Sequence, residues 1–235
     1  MPQSIPEFTP VLGVRHSSPL STDGFYDDQY DVQYNDRHDE ERVQGRALVT
    51  GLVLAGGRGE RLGGVDKGLI SERGIPAAVR VAAALRETCA TVLVSANRNL
   101  DTYAAMDFDA VVPDSLPDFA GPLAALLAAG EYGVTGTLVI APCDMPTLSP
   151  EVPRSLVERL EADPQLDLVY ADTGDVPQYL VAALRTPCLE GLDEFLASGG
   201  RAVRRWYEQI ETATCSFSDL QALGLVNRNS ADEWR

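Results

Sequence analysis

The sequence predicts an α/β fold in which helices cover both faces of a mostly parallel sheet. Two observations lead to this prediction. Continuous apolar runs, typical of strands buried on both faces, alternate along the chain with segments of helical periodicity. Several of these runs end in glycine, asparagine or aspartate, which suit the ligand-binding edge of such a sheet. Strands that alternate with helices form βαβ units, so the expected architecture is a Rossmann-like three-layer α/β/α fold.

The first predicted strand is followed by a glycine-rich loop and then by alternating helices and strands. ALVTGLVLAG (47–56) is a continuous apolar run that ends in glycines. A helix is predicted at 121–132, where Gly-Pro opens the segment and an early proline loses no helical hydrogen bond. The other predicted elements are strands at 91–97, 109–114, 136–144, 167–172 and 178–184, and helical stretches at 75–86, 150–162, 188–197 and 202–208.

Four polar features at the ends of predicted strands are expected to share one edge of the sheet. In an open parallel sheet, ligands bind outside the carboxyl ends of the strands. The loop at 55–68, Asn97, Asp114 and Asp144 each lie at or directly after such an end. The sequence therefore predicts that these residues form one site.

Residues 1–45 are predicted to be a disordered, acidic N-terminal extension. Prolines are followed there by the acidic, tyrosine-dotted stretch DGFYDDQYDVQYNDRHDEE, and the scattered apolar residues show neither strand nor helix periodicity. The alternative is a segment that binds a partner. The folded domain is then expected to span 46–235.

The formal net charge of −16 limits the classes of ligand that the protein attracts. A surface this acidic has no general attraction for nucleic acid or for anionic membranes, so neither is expected as a partner. An anionic substrate needs a local cationic site, with or without a metal ion. The sequence has no apolar run of 18 residues, no signal pattern and no CxxC pair among its four cysteines, which predicts a cytoplasmic protein.

Two scarce residue types narrow the chemistry further. Both histidines, His16 and His38, lie in the predicted extension, so His-based triads and His-ligated zinc are not expected in the folded domain. Lys67 is the single lysine beside 18 arginines. Arginine-rich usage is commonly an effect of genome composition. A lysine kept inside a glycine-rich loop nevertheless suggests that a compact ammonium is needed there.

The segment Ala55–Gly68 is the strongest candidate for a phosphate-binding loop. It holds six glycines directly after a buried strand, and glycine lets backbone N–H groups approach an anion closely. Arg58, Arg61 and Lys67 add cations that can reach phosphate oxygens. Neither GxxxxGK[ST] nor GxGxxG fits the segment in register. The alternative interpretation is a flexible turn.

Acidic and polar residues at the other strand ends are candidates for metal and nucleoside contacts. Mg²⁺ binds nucleotides through one or two carboxylates plus phosphates, so Asp144 at the end of an apolar strand is a candidate ligand. Asp114 is placed to accept hydrogen bonds from a base or sugar. Taken alone, either aspartate is also consistent with a turn or cap, and Asn97 with a polar loop. Cys143 is not expected to act as a nucleophile because no histidine lies near it in sequence.

The motif LVLAGGRGERLGGVDKGL resembles the opening motif of the molybdenum cofactor guanylyltransferases, which are similar in fold to the nucleotide-diphospho-sugar-transferase type of enzyme. The similarity continues at VLVSANRNLDTY, VVPDSLPDFAGPLAALLA and LVIAPCDMPTLSPE. It returns more weakly at LASGGRAVRRWYEQ and VNRNSADEW, and covers residues 46–235. LAGG with DKG favours guanylyltransferases over their cytidylyltransferase relatives. GERLG and GIPAAV depart from the usual SSRMG and Gly-Lys-Pro-Leu versions.

The resemblance implies that the protein transfers GMP from GTP to molybdopterin with Mg²⁺, giving a guanine dinucleotide cofactor and pyrophosphate. GTP and molybdopterin are the implied partners, with molybdoenzymes or their chaperones as candidate protein partners. The match assigns nucleotide binding to Leu54, Ala55, Gly56, Gly57, Lys67, Ser95, Asn97, Asp114 and Asp144. Lys67, Asp144 and Arg61 are the implied catalytic residues, and Asp144 also holds the metal. Ser95 stands where relatives can have asparagine.

Two alternatives stay open at this point. One is nucleotidyl transfer to another phosphorylated acceptor, either from CTP to molybdopterin or to a sugar phosphate. The other is a non-catalytic nucleotide-binding regulatory module, although the intact Lys67 and Asp144 speak against a decayed catalytic centre.

Overall fold

The structure, a computed structural model, describes residues 48–57, 64–114, 121–174, 176–219, 223–229 and 231–234. The predicted N-terminal extension, residues 1–45, lies outside the described residues. Arg58 and Arg61 of the glycine-rich loop also lie outside them. The interpretations given to these residues therefore stay predictions.

The described residues form a seven-stranded sheet and a separate two-stranded hairpin. The strands are β1 (Val49–Leu54), β2 (Ser71–Glu72), β3 (Ile75–Pro76), β4 (Thr91–Ser95), β5 (Ala110–Val112), β6 (Thr137–Pro142), β7 (Leu168–Asp172), β8 (Pro177–Arg185) and β9 (Thr212–Ser216). The sheet order is β5-β4-β1-β6-β8-β7-β9, and β2 pairs with β3.

Helices connect most of the strands. They are α1 (Ala77–Arg86), α2 (Leu100–Ala104), α3 (Pro122–Glu131), α4 (Glu151–Glu161), α5 (Leu192–Ala197) and α6 (Val203–Tyr207), with 3₁₀ turns at Lys67–Leu69, Thr186–Leu189 and Ala231–Trp234. Within the described ranges, no helix has the length and apolar character that crossing a bilayer requires.

The sheet is mostly parallel, as the sequence predicts. Strand β1 pairs in parallel with β4 and β6, β4 with β5, and β7 with β9. Strand β8 is the exception, because it runs antiparallel to both β6 and β7. The connection from Asp172 to Pro177 is too short for the crossover that a parallel neighbour needs, so β7 and β8 form a hairpin.

The sheet is buried on both faces because successive residues of a strand point to opposite sides. Val53 and Val94 belong to a core cluster that includes residues of α1 and α4. Leu52 and Leu93, one position away in each strand, belong to a second cluster that includes residues of α3 and α6. The predicted three-layer α/β/α architecture is thereby confirmed.

Local differences from the predicted elements have simple causes. Ile75 and Pro76, predicted to begin a helix, form β3 instead, because Arg73 and Gly74 adopt φ values of 53° and 81° and close a two-residue hairpin turn. The helical stretch predicted at 188–197 is interrupted by Gly191, whose φ is 83°. Helix α2 and strand β9 have five residues each, too few for a clear periodic signal, and the sequence did not predict them.

Candidate active site

The carboxyl ends of β5, β4, β1 and β6 meet at one edge of the sheet. Leu54 pairs with Ser95 on one side and with Pro142 on the other, and Ser95 pairs with Val112. The residues that follow these positions therefore emerge side by side. They include Ala55–Gly57, Asn97, Asp114 and Asp144, the residues that the sequence placed together.

Lys67 reaches this edge from the end of the glycine-rich loop. Its Nζ atom lies 3.0 Å from Oδ2 of Asp144 and donates a second hydrogen bond, of 2.9 Å, to Oδ1 of Asn229. The side chains of Lys67 and Asp144 are only 21% and 19% exposed. Part of their hydration is lost at this depth, so a cation and an anion face each other in a partly sheltered cleft.

The C-terminal segment completes this part of the site. The backbone N–H of Arg228 donates to the carbonyl of Asp144 at 2.8 Å, and an Arg228 Nη1 atom lies 3.1 Å from Oε2 of Glu72 in the β2-β3 hairpin. These two contacts hold the next residue, Asn229, beside Lys67. Asn229, Arg228 and Glu72 were not among the site residues predicted from sequence. The family similarity at VNRNSADEW was the one signal that pointed to the C-terminal segment.

A second polar group lies on the other side of β1, at the ends of β4 and β5. The Nδ2 atom of Asn97 donates to Oδ2 of Asp114 at 2.7 Å, and its Oδ1 accepts from the Asp114 backbone N–H at 2.8 Å. Ser95 Oγ donates a longer bond of 3.4 Å to Asp114. Burial raises the pKa of the Asp114 carboxyl, although the hydrogen bonds from Asn97 and Ser95 oppose that shift.

Gly56 lets this polar group approach the backbone of the loop. A Cβ atom at Gly56 would lie 3.1 Å from Nδ2 of Asn97, closer than most such contacts allow. Ala55 is tied to β4 by a 2.8 Å bond from its N–H to the carbonyl of Ser95. Leu54 ends β1, and Gly57 follows in open space. Part of this backbone is already paired, because the Leu54 carbonyl accepts from the Cys143 N–H at 3.0 Å and the Gly57 carbonyl accepts from Arg98. The predicted backbone contacts with a nucleotide stay a prediction.

Asp66 fixes the turn that carries Lys67. Its side chain is 6% exposed and accepts hydrogen bonds from the Gly68 N–H at 3.1 Å, from Tyr103 Oη at 2.8 Å and from Asn99 Nδ2 at 2.9 Å. Buried carboxylates need such partners to be tolerated. Neither Asp66 nor Tyr103 was among the predicted site residues. A buried tyrosine in a helix of five residues leaves no periodic pattern in the sequence.

Cys143 is adjacent to the metal-ligand candidate but is not a nucleophile. The side chain is buried, and burial raises the pKa of the thiol well above its ordinary value, with further increases from the charges of Asp144 and Asp66. A thiol in such surroundings stays protonated and unreactive at neutral pH.

The residues at Asp144 suit a divalent metal that is shared with a nucleotide. No group of three or more His, Cys, Asp or Glu side chains that could hold a metal by itself occurs within the described ranges. Among those same residues, Oδ1 of Asp144 accepts no hydrogen bond, while Oδ2 faces the Lys67 ammonium. One carboxylate beside a glycine-rich loop is a donor set that suits a divalent cation when phosphates and water supply its other ligands.

Comparison with known proteins places the chain in a family. Residues 51–213 match the MobA-like NTP transferase domain.

The chain belongs to the MobA-like NTP transferase family.

A similar protein from Methylibium petroleiphilum is named molybdenum cofactor guanylyltransferase. It is 41% identical to this chain over 198 residues, which cover 81% of this chain and 96% of the relative. Another with the same name, from Burkholderia vietnamiensis, is 42% identical over 196 residues and covers 79% and 93%. The family resemblance seen in the motifs is thus confirmed.

Solved structures support the fold of this MobA-like chain. Molybdopterin-guanine dinucleotide biosynthesis protein A from Archaeoglobus fulgidus superposes with a TM-score of 0.65 at 21% identity, covering 79% of this chain and 94% of its own. A 4-diphosphocytidyl-2C-methyl-D-erythritol synthase from Anaerococcus prevotii gives a TM-score of 0.57 at 10% identity, covering 80% and 95%. The predicted fold type, that of the nucleotide-diphospho-sugar transferases, is confirmed.

Proposed function

We propose that the protein transfers GMP from GTP to molybdopterin, forming molybdopterin guanine dinucleotide and releasing pyrophosphate. The observation that carries this proposal is the Lys67–Asp144 pair, which a glycine-rich loop and a strand end bring to 3.0 Å at the ligand-binding edge of the sheet. Relatives that share about 40% of their residues with this chain are named molybdenum cofactor guanylyltransferase, which supports guanine as the base and molybdopterin as the acceptor.

GTP binding is assigned to two groups of residues on either side of β1. Ser95, Asn97 and Asp114 contact the nucleoside, because their oxygen and nitrogen atoms converge where β4 and β5 end. The phosphates lie along the backbone of Leu54, Ala55, Gly56 and Gly57 and reach the ammonium of Lys67. Arg61, outside the described residues, is the further cation that this proposal places on the phosphates.

Asp144 holds the metal ion, which we propose to be Mg²⁺. A bound Mg²⁺ neutralises the charge that builds up on the phosphate oxygens. The ammonium of Lys67, 3.0 Å from Asp144, contributes to the same neutralisation. Lys67 and Asp144 form an ion pair with each other in the structure. Binding of metal and nucleotide replaces this pair with one between Asp144 and the metal and one between Lys67 and the phosphates.

The chemistry needs no nucleophile from the protein. A phosphate oxygen of the acceptor forms a bond to the α-phosphorus of GTP while the bond from that phosphorus to the leaving pyrophosphate breaks. The residues of the site align the two phosphates and stabilise the negative charge of the leaving group. Lys67 supplies a compact, strongly hydrated charge for this purpose, and its three N–H donors can follow the pyrophosphate as it leaves.

We further propose a cytoplasmic protein that acts on small anionic substrates and has molybdoenzymes or their chaperones as protein partners. The net charge of −16 opposes binding to nucleic acid and to anionic membrane surfaces. GTP and molybdopterin are themselves anionic, so the local cations of the site, together with the metal, must overcome the field of the whole molecule.

Nucleotide binding provides the first test of this function. GTP with Mg²⁺ is expected to raise the melting temperature more than CTP with Mg²⁺, because a ligand that binds only the native state stabilises it. Stabilisation by CTP alone would overturn the assignment of guanine.

Turnover provides the second test. Pyrophosphate release is expected with GTP and molybdopterin, and not with sugar phosphates. Lys67→Ala and Asp144→Asn are expected to lose at least about 100-fold in kcat, the size seen when one charge-stabilising group is removed. Asp163→Asn, which alters an exposed turn far from the site, is the matched control and should keep normal activity. Wild-type turnover by either site variant would remove that residue from the mechanism.

A further inference from the structure

Arg98 holds the two ends of the glycine-rich loop with a single guanidinium group. Its Nη1 atom donates to the carbonyl of Gly64 at 2.6 Å, and its Nη2 atom donates to the carbonyls of Gly57 at 3.2 Å and Val65 at 3.0 Å. Gly57 precedes the two arginines of the loop, Arg58 and Arg61, whereas Gly64 and Val65 follow them. The side chain therefore bridges backbone positions that are separated by several residues of chain.

The same side chain is linked to the turn of Lys67 through Asp66. The Nε atom of Arg98 is 3.6 Å from Oδ2 of Asp66, whose side chain is 6% exposed. Asp66 in turn accepts from the Gly68 N–H, so the residues on both sides of Lys67 are fixed by one buried carboxylate. The link between Arg98 and Asp66 is electrostatic, because the Arg98 side chain is 26% exposed and its Nε atom makes no hydrogen bond with any described residue.

We propose that Arg98 is a positioning residue for nucleotidyl transfer: it holds the loop so that the ammonium of Lys67 and the backbone N–H groups of the loop meet the phosphates. The proposal rests on the function given above. Both Nη atoms donate to backbone carbonyls of the loop, so the role that we assign to Arg98 is exerted through the loop. A planar guanidinium donates from two Nη atoms that lie apart, as Arg98 does to three carbonyls, whereas an ammonium donates from a single nitrogen atom.

Two variants separate this role from simple electrostatic attraction of the nucleotide. Arg98→Lys keeps the charge and loses the planar fork, while Arg98→Met loses both. Arg86→Met is the matched control. The Arg86 side chain donates to the backbone carbonyl of Asp107 and to the carboxylate of Asp109, and it is 32% exposed. It lies at the opposite edge of the sheet from Arg98.

Hydrogen exchange of the ligand-free variants tests the structural half of the proposal and needs no substrate. The Gly68 amide, protected in the wild type by Asp66, is expected to exchange faster in both Arg98 variants and at the wild-type rate in Arg86→Met. Unchanged protection of Gly68 in Arg98→Met would overturn the proposal, because the loop would then be held without Arg98.

Kinetics tests the functional half, at a temperature well below the melting point of every variant. Arg98→Lys and Arg98→Met are both expected to lose about 10- to 100-fold in kcat/KM for GTP, the loss that follows when a reacting group is misplaced from outside the site. The KM for the acceptor and all constants of Arg86→Met should stay unchanged.

Activity of Arg98→Lys near the wild-type value would overturn the proposal, since charge alone would then suffice. GTP affinity measured by calorimetry without acceptor gives a readout that does not depend on which acceptor is correct. Weaker GTP binding by both Arg98 variants therefore supports the positioning role whether or not molybdopterin is turned over. Absence of molybdopterin turnover by the wild-type protein would instead contradict the proposed function.

Discussion

Replacing Gly68 with alanine should push directly against Tyr103, which supports the turn of Lys67. A Cβ atom at Gly68 would lie less than 3.0 Å from Oη of Tyr103, and its next neighbours, the Cβ atoms of Ala55 and Ala78, would be at 3.2 and 3.3 Å. Tyr103 is completely buried and its Oη donates to Asp66 at 2.8 Å. The hydroxyl cannot move away without breaking that hydrogen bond.

The size of the effect follows from these contacts. Inserting a methyl group into a closely packed interior costs about 1–3 kcal/mol. The lower chain entropy of alanine in the unfolded state returns about 0.4–1 kcal/mol, because φ of Gly68 is not in the left-handed region. We therefore expect Gly68→Ala to lower the free energy of unfolding by about 1–2 kcal/mol. Displacement of the Lys67 turn should also lower kcat/KM for GTP.

A double-mutant cycle with Tyr103→Phe isolates this collision. Tyr103→Phe alone should cost about 1.5–3 kcal/mol, because it removes a hydrogen bond to a charged group. In the Tyr103→Phe background the oxygen is gone, so Gly68→Ala should cost less than in the wild type, and only the contacts with the Cβ atoms of Ala55 and Ala78 remain. Denaturant unfolding measures all four proteins. Gly57→Ala, whose Cβ would meet nothing within 4 Å, is the control and should change stability by less than about 0.5 kcal/mol. Costs that add within about 0.5 kcal/mol would refute the steric account.

Three further outcomes are expected. Arg228→Met should lower the free energy of unfolding by about 1–2 kcal/mol, since it removes a charge-assisted hydrogen bond to Glu72. The loss should be smaller when Glu72→Gln is already present, and a double-mutant cycle measures this coupling. Burial raises the pKa of the Asp114 carboxyl, so the contribution of this group to stability should fall as the pH rises from 3.8 toward the raised pKa. GTP binding needs the ionised Asp114 carboxylate and should therefore weaken as the pH falls through the same range. Calorimetry at several pH values should show that Asp114→Asn abolishes both trends. Cys89, whose pKa burial raises to about 12, and Cys143 should resist thiol reagents at pH 8 until the protein is denatured, as colorimetric titration of free thiols can show. Rapid labelling of either thiol in the native protein would contradict the burial that we describe.

Much of the site could be predicted because the carboxyl ends of neighbouring parallel strands lie at the same edge of a sheet. Once apolar runs had been assigned as strands, the positions of Asn97, Asp114 and Asp144 at one edge followed from the topology. Their type, polar residues after buried strands, also suggested nucleotide and metal contacts. The antiparallel β8 does not disturb this edge, because it pairs with β6 on the side away from β1.

The rest of the site depends on tertiary contacts that leave no local pattern. Asn229 and Arg228 belong to an irregular segment, and only the path of the chain across Asp144 brings them to the site. Asp66 and Tyr103 meet because α2, a helix of five residues, packs beneath the loop. Neither a hydrophobic period nor a spacing rule detects such pairs, since each partner looks ordinary in its own sequence context.

The long sequence separation between Lys67 and Asn229 sets the order in which a newly made chain can assemble its site. The two residues are 162 positions apart, whereas Lys67 and Asp144 are 77 apart. At a synthesis rate of about 5–20 residues per second, Asn229 is added about 8–30 s after Lys67. The ammonium and the carboxylate can thus meet on the ribosome well before the asparagine exists. A nascent chain at that stage has both members of the Lys67–Asp144 pair but lacks the segment that places Asn229 beside Lys67.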